Sequence, residues 1–411
     1  SAEHPPMGRR DPVSLPSWTP PTRLLLGPGP SPVHPRVLNA LATPLIGHLD
    51  PAFLDLMDII QQQLRHVFQT ENSWTIAVSG TGSAGMEAAL VNIIEPGERV
   101  IGGVNGVFGT RMASVVERCG GTAIRVKAQW GTIIDPAAID AALIRSGPVK
   151  AVAIVHAETS TGVQQPIEEI ARLCRLHNAL LVVDAVTSLG GIPVEVDRWG
   201  IDVCYSGTQK CLSCPPGLAP LTLSERAVTA VKTRRTPCTS WYLDVSLVAD
   251  YWAQKTRAYH HTAPISMLYG LHEALQLVIE EGLAPRFQRH QLHSRALLAG
   301  LAVLGITPFA QEGHRLPMLN CVTVPAGIDE ALLRRQLLTA HGIEIGGGLG
   351  PLKGRVWRIG LMGEGAARAH VLTFLHALAS LLHDRTTTGQ ADASIQAAAE
   401  VYASTTQEHA A

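Results

Sequence analysis

Three short stretches set reactive side chains at points where the backbone changes direction. The first, SGTGSAGMEAAL at 79–90, places Gly, Ser and Thr between an apolar run and a helical pattern. A helix that starts there offers unpaired N–H groups and about half a positive charge. The hydroxyls of Thr81 and Ser83 add donors, while Gly80 and Gly82 let an anion approach the backbone. That is the chemistry of a phosphate cup, although a Ser- or Thr-capped helix has the same signature. The GxxxxGK[ST] spacing of a P-loop is absent. The second stretch, LLVVDAV, ends on Asp184, a carboxylate that is costly to bury unless a cation or a proton faces it. A helix cap or a buried ion pair is the alternative. The third, CYSGTQKCLSCPPG, carries Lys210 just past another apolar run. Desolvation among small residues lowers a lysine's pKa and turns it into a Schiff-base amine. An ordinary surface lysine is the alternative there.

Taken together, a phosphate cup, an acid at one strand end and a lysine after the next are the parts that pyridoxal 5′-phosphate needs. The lysine attaches the cofactor, the aspartate keeps the pyridine nitrogen protonated so that the ring draws electrons, and the cup anchors the phosphate. GGGLGPLKG (346–354) does not compete as a dinucleotide fingerprint, because it precedes a strand instead of following one. Cys211 and Cys214 form a CxxC but lack a second ligand pair, so no metal is expected.

These stretches must be brought together by the elements around them. Apolar runs at 74–79, 99–104, 123–126, 150–155, 179–184 and 201–206 alternate with helical patterns such as Met86, Ala89, Leu90, Ile93 and Ile94. That alternation predicts an α/β fold around a mostly parallel sheet covered on both faces. Ligands of such sheets bind outside the carboxyl ends of the strands, where all three stretches lie. Phe53, Leu56, Met57, Ile60, Leu64 and Val67 predict a helix around 51–69, and a helical connector is expected over 266–304. Strand, helix, strand and helix patterns over 316–383 then predict a smaller α+β unit. The expected organisation is a proline-rich arm at 1–23, a large domain at 24–270, a small C-terminal domain at 271–383 and a frayed tail at 384–411.

Composition narrows the function further. The 411 residues are 46% hydrophobic and 16% charged, and 33 Lys and Arg nearly cancel 34 Asp and Glu. Neither nucleic acid nor a membrane is an expected partner. An odd number of cysteines, seven, suits reduced thiols in a cytoplasmic setting, and the polar N-terminus has no secretory h-region.

At this point the chain resembles the class V aminotransferases of fold type I, with likeness to alanine–glyoxylate (serine–pyruvate) and ureidoglycine–glyoxylate enzymes. The motifs are LLLGPGPSP (24–32), FQTEN (68–72), ALVNIIEPGE (89–98), HAETSTGVQQP (156–166), VDAVTSLGG (183–191), YSGTQKCL (205–212), YHHT (259–262), GGLGPLKG (347–354) and WRIGLMG (357–363). The resemblance implies an aspartate-aminotransferase-like large domain with a seven-stranded sheet, and pyridoxal phosphate as cofactor. It implies Lys210 and Asp184 as catalytic residues, and Thr81, Gly82, Ser83 and Gln209 at the phosphate. Phe108 would stack on one ring face and Val186 on the other, with Thr159 near the ring oxygen. Arg358 would hold the substrate α-carboxylate as a bidentate fork, helped by the Gly29 N–H. Tyr259 and Thr262 would reach the phosphate of a neighbouring subunit, which implies a homodimer with shared active sites.

Two departures bear on the substrate. Ser83 stands where some members carry histidine, and His48 and Tyr259 stand where ureidoglycine-specific members carry amides. The surrounding frame, GHLDPAF and AQWGTIIDP, is similar to the ureidoglycine branch, while Tyr259 is similar to the alanine/serine branch. With His48 and Tyr259 in the side-chain pocket and no second arginine placed by motif, the expected reaction joins alanine or serine to glyoxylate or pyruvate. Ureidoglycine–glyoxylate transamination is the alternative. A cysteine desulfurase is a remote one, because Gln209 replaces the histidine that precedes the lysine there and Cys321 lies inside an apolar strand.

Overall fold

The protein is described here by a computed structural model covering residues 14–253, 256–384 and 387–408. Of the expected arm, residues 1–13 lie outside the described residues, and the chain from 14 to 22 is exposed and without regular structure.

Seven strands form the main sheet, in the spatial order Trp74–Ser79, Leu218–Leu223, Val203–Tyr205, Leu180–Asp184, Ala151–Val155, Arg99–Val104 and Thr122–Lys127. The pairings from Val203–Tyr205 through to Thr122–Lys127 are all parallel, and Leu218–Leu223 runs antiparallel to both of its neighbours. The inner strands are buried along their whole length, as the continuous apolar runs require. Leu218–Leu223 is not among the apolar runs read as strands in the sequence, and it carries Pro220, a residue that disfavours a central strand. The structure resolves the conflict: the Pro220 carbonyl accepts from the Ser206 N–H at 2.8 Å, just where Val203–Tyr205 has ended. The bonds on that side continue beyond the proline, with the Thr208 N–H donating to the Leu218 carbonyl at 3.2 Å, so the strand loses only the one donor that proline lacks.

Helices cover the sheet. Pro51–Phe68 starts on Pro at its first position, capped by Asp50, whose side chain accepts from the Ala52 N–H at 2.9 Å. The connector expected at 266–304 is two helices, Ile265–Glu281 and Leu283–Val303, broken at Gly282, whose φ of 86° favours glycine. A three-stranded antiparallel sheet of Leu319–Thr323, Val356–Gly360 and Gly346–Gly347 lies beyond them. One core runs from Val37 to Val278, and a second takes in Leu26 and residues from Ala296 to Tyr402.

The tail corrects the expectation of a frayed end. Thr388–Glu408 is a helix of 21 residues whose Ser394, Ala398 and Tyr402 are buried. Ser394 Oγ donates to the Gly300 carbonyl at 2.8 Å, and the Tyr402 hydroxyl bonds His293 Nδ1 at 2.8 Å, docking the tail on Leu283–Val303. An alanine-rich segment has the propensity for a helix, and this partner surface supplies the burial that keeps it formed. Among the described residues no helix is long and apolar enough to cross a membrane.

Candidate active site

The carboxyl ends of five parallel-running strands open on one cleft. After Trp74–Ser79 comes the helix Gly82–Ile93, capped at Thr81 without any side-chain hydrogen bond, so the Thr81 hydroxyl and the first N–H groups face the cleft. Gly82 lies under Val186: a Cβ there would come 3.2 Å from both valine methyls. After Arg99–Val104 comes Phe108, and after Ala151–Val155 comes Thr159. Asp184 closes its strand, and Gln209 and Lys210 follow Val203–Tyr205. Thr81, Gly82, Ser83, Phe108, Thr159, Asp184, Val186, Gln209 and Lys210 all line the cleft.

Asp184 is 3% exposed, and its carboxylate is held from two sides. Oδ1 accepts from the Val186 N–H at 2.9 Å and Oδ2 from the Tyr205 hydroxyl at 2.8 Å. Burial nevertheless pushes its pKa up to about 6, against the pull of those bonds. Such a carboxylate stays charged most readily opposite a cation, which a protonated ring nitrogen provides.

Lys210 is fixed by the GPGP turn. The strand Leu24–Leu25 pairs with Ile343–Glu344, the Gly360 N–H donates to the Leu26 carbonyl at 2.8 Å, and the Ser31 N–H donates to the Gln209 carbonyl at 2.8 Å. The turn between these anchors puts the Pro28 carbonyl against Lys210 Nζ, which donates to it. Gly29 has φ of 110°, and a Cβ there would collide with the lysine side chain, so glycine is required twice over. Burial first, and the Arg358 cation second, lower the Lys210 amine to about 8. That brings a neutral nucleophile within reach near neutrality.

Arg358 sits in the small sheet, 7% exposed, opposite Cys321 and Gly346. Its Nε donates to the Gly347 carbonyl at 2.7 Å and its Nη1 to the Thr159 carbonyl at 3.4 Å. These bonds leave the rest of a rigid guanidinium fork free to bind an anion.

Gly29 and Arg358 border the cleft through Lys210 and Thr159 without being on its lining, and His48, Tyr259 and Thr262 do not line their own chain's cleft either. His48 and Tyr259 instead meet each other, with ring centroids 5.4 Å apart, and Tyr259 is 61% exposed. Cys321 is buried, and its thiol is pushed up to about 12, which removes it as a desulfurase nucleophile. All seven cysteines are unpaired. Among the described residues no group of three or more His, Cys, Asp or Glu is placed to hold a metal.

One residue of the cleft, Arg111, and two buried behind it, Tyr205 and Glu158, went unread in the sequence. Tyr205 supports Asp184, Arg111 stacks 4.9 Å over the Phe108 ring, and Glu158 accepts from the Phe108 and Gly109 N–H groups. Tyr205 and Glu158 lie inside quoted motifs, but nothing in their local spacing shows a partner on another strand.

The cleft fits pyridoxal phosphate on observations of its own. The Thr81 hydroxyl and the first N–H groups of Gly82–Ile93 are donors left free beside the cup, the unpaired Gln209 amide can turn its Nε2 toward it, and Asp184 and Lys210 line the same space.

Comparisons with known proteins agree with that geometry. The family model Aminotransferase class-V matches residues 31–354. The crystal structure of an alanine–glyoxylate aminotransferase from Nostoc sp. is 47% identical, with a TM-score of 0.88, covering 90% of this chain and 98% of that one. That of the ureidoglycine–glyoxylate aminotransferase from Bacillus subtilis is 42% identical, with a TM-score of 0.91, covering 94% and 100%. An alanine–glyoxylate aminotransferase of Drosophila melanogaster is 40% identical over 366 residues, which is 88% of this chain and 91% of the relative.

Proposed function

Since the chain belongs to the class-V aminotransferases, we propose that it moves the amino group of alanine or serine onto glyoxylate in a ping-pong reaction. Pyridoxal 5′-phosphate is its cofactor and supplies an electron sink for the bond broken at the substrate Cα. Lys210 would attach the cofactor, and its Nζ, a buried amine lowered to about 8 in the free chain, would take the proton from the substrate Cα and return it at the cofactor carbon that carried the lysine. Asp184 holds the proton on the ring nitrogen. Phe108 and Val186 would confine the ring between them, Thr159 would stand near its oxygen, and Thr81, Gly82, Ser83 and Gln209 would bind the phosphate. Arg358, with the Gly29 N–H, binds and orients the α-carboxylate.

The observation that carries the choice of substrate is the small number of cations at the cleft. Arg358, beside the cleft against Thr159, accounts for one carboxylate, and Arg111, the arginine on the lining, is exposed and stacked on Phe108. A second, distal carboxylate would be left without a dedicated fork, at a cost of roughly several kcal/mol when desolvated. A small donor avoids that cost.

The pairing of His48 with Tyr259 away from their own cleft supports delivering them, with Thr262, to the cleft of a second copy. The working enzyme in this reading is a homodimer with shared sites. Seven unpaired cysteines suit a cytoplasmic location. The second reading, ureidoglycine as donor, draws on the B. subtilis likeness. The test is kcat/KM of the holoenzyme for alanine, serine and ureidoglycine with glyoxylate as acceptor. Preference for alanine or serine is expected, and a tenfold or greater preference for ureidoglycine overturns the choice.

A further inference from the structure

The helix Val107–Arg118 presents Phe108 in its first turn, yet it brings no cap of its own. Gly106 is its N-cap and makes no side-chain bond, and a Cβ there would fall on the Glu158 carboxyl and on Ser160 Oγ. Ser, Asp and Asn, the usual caps, are therefore excluded by space. The caps come instead from the turn after Ala151–Val155. Glu158 Oε1 accepts from the Phe108 and Gly109 N–H groups at 3.0 and 3.1 Å. Ser160 Oγ accepts from the Val107 N–H at 3.0 Å and donates to Glu158 Oε2 at 2.6 Å. Three of the four N–H groups that a helix start leaves unpaired are thus taken by residues some fifty positions away.

A neutral cap would satisfy the same donors without the cost of burying a carboxylate, and Glu158 is only 1% exposed. What the carboxylate adds is stiffness. It accepts on both of its oxygens, from the Phe108 N–H at 3.0 Å and from the Ser160 hydroxyl of its own turn at 2.6 Å, bonds that favour the charged form while burial pushes its pKa up. Thr159, between the two capping residues, lines the cleft with its side chain, and its carbonyl accepts from Arg358 Nη1. The turn 158–160 is therefore joined to the aromatic expected on the ring and to the arginine expected on the substrate.

We propose that Glu158 is a positioning residue that fixes Phe108 and, through Thr159, Arg358 to one turn, so that the cofactor ring and the substrate carboxylate share a common reference. The proposal rests on the roles given above to Phe108 and Arg358, and it acts through them without touching either ligand.

The test titrates pyridoxal 5′-phosphate into apo-protein carrying Glu158→Ala, Glu158→Gln, Ser160→Ala or Phe108→Ala. KM and kcat of the reloaded enzymes and the apo-protein melting temperatures are measured alongside. Asp202→Asn is the control: Asp202 is another buried carboxylate, bonded to the Leu181 N–H and the Ser224 hydroxyl away from the cleft. Glu158→Ala is expected to weaken cofactor binding and raise the donor KM by about tenfold each, the scale of one lost charge-assisted bond. Glu158→Gln and Ser160→Ala fall between it and the parent, and adding Phe108→Ala to Glu158→Ala costs little more affinity, because both act on one contact. Asp202→Asn lowers the melting temperature and leaves cofactor affinity alone. Parental affinity and KM in Glu158→Ala with only a lower melting temperature would overturn the proposal. If Glu158→Ala does not fold, parental values in both Glu158→Gln and Ser160→Ala overturn it equally. Parental affinity in Phe108→Ala instead refutes the stacking role itself, whatever Glu158 does.

Discussion

Replacing Arg358 by glutamine removes the cation that, after burial, does most to lower the Lys210 amine. The amine stands at about 8 against the usual 10.5. Burial is the larger cause, so the loss of Arg358 returns at most about half of the drop, on the order of one pKa unit. At pH ~7.5 an amine of pKa ~8 is about one-quarter neutral, and one of pKa ~9 about 3% neutral, so the reactive fraction falls about eightfold. The assay is the rate at which apo-protein captures pyridoxal 5′-phosphate, followed by absorbance across pH and normalised to the same reaction of a free lysine derivative. The midpoint is expected to move from about 8 to roughly 9 in Arg358→Gln and to stay near 8 in Arg358→Lys, which keeps the charge. The folded lysine also binds its proton more weakly than the unfolded one. The parent apo-protein therefore gains stability as pH rises from about 8 to 10.5, and Arg358→Gln gains less over the same window. An unmoved midpoint in Arg358→Gln, or an equal shift in Arg358→Lys, refutes the electrostatic coupling.

Three further outcomes follow from the same geometry. Asp184→Asn keeps the fold, since an amide still accepts from the Val186 N–H, but loses about 10²–10⁴-fold in turnover; a fully active yet easily unfolded variant would make Asp184 structural. Subunits carrying Lys210→Ala, mixed with subunits carrying Tyr259→Ala and Thr262→Ala, regain activity through hybrids that keep one intact site, and no regain despite proven hybrids counts against shared sites. Exchanging His48 for Gln together with Tyr259 for Asn shifts donor preference toward ureidoglycine, whose ureido group pairs with amides, as competition assays would read; an unchanged preference removes these two residues from donor selection.

The residues that meet at the cleft were legible because they sit where local pattern is strongest. Asp184 and Lys210 each follow an unbroken apolar run, and the cup lies between a run and a helix, so strand ends could be placed without knowing their neighbours. What escaped was non-local. Pro220 keeps its place in a central strand because its carbonyl and that of Leu218 still accept from the Ser206 and Thr208 N–H groups, a fact about another segment. Glu158 caps a helix some fifty residues away, and no capping pattern spans that distance. The tail's alanines show helix propensity, but the burial of Ser394, Ala398 and Tyr402 depends on a groove built by Leu283–Val303. The homodimer reading had the reverse character: YHHT carried a resemblance, and the structure adds that Tyr259 lies exposed beside His48.

The most direct test of the site is to reduce the holoenzyme with borohydride, digest it and locate the pyridoxyl group by mass spectrometry. The account predicts a single modified peptide, with the added mass on Lys210 and none in Lys210→Ala, whose turnover falls by at least ~10³-fold. A pyridoxyl group on any other lysine, or near-normal turnover without Lys210, would contradict it.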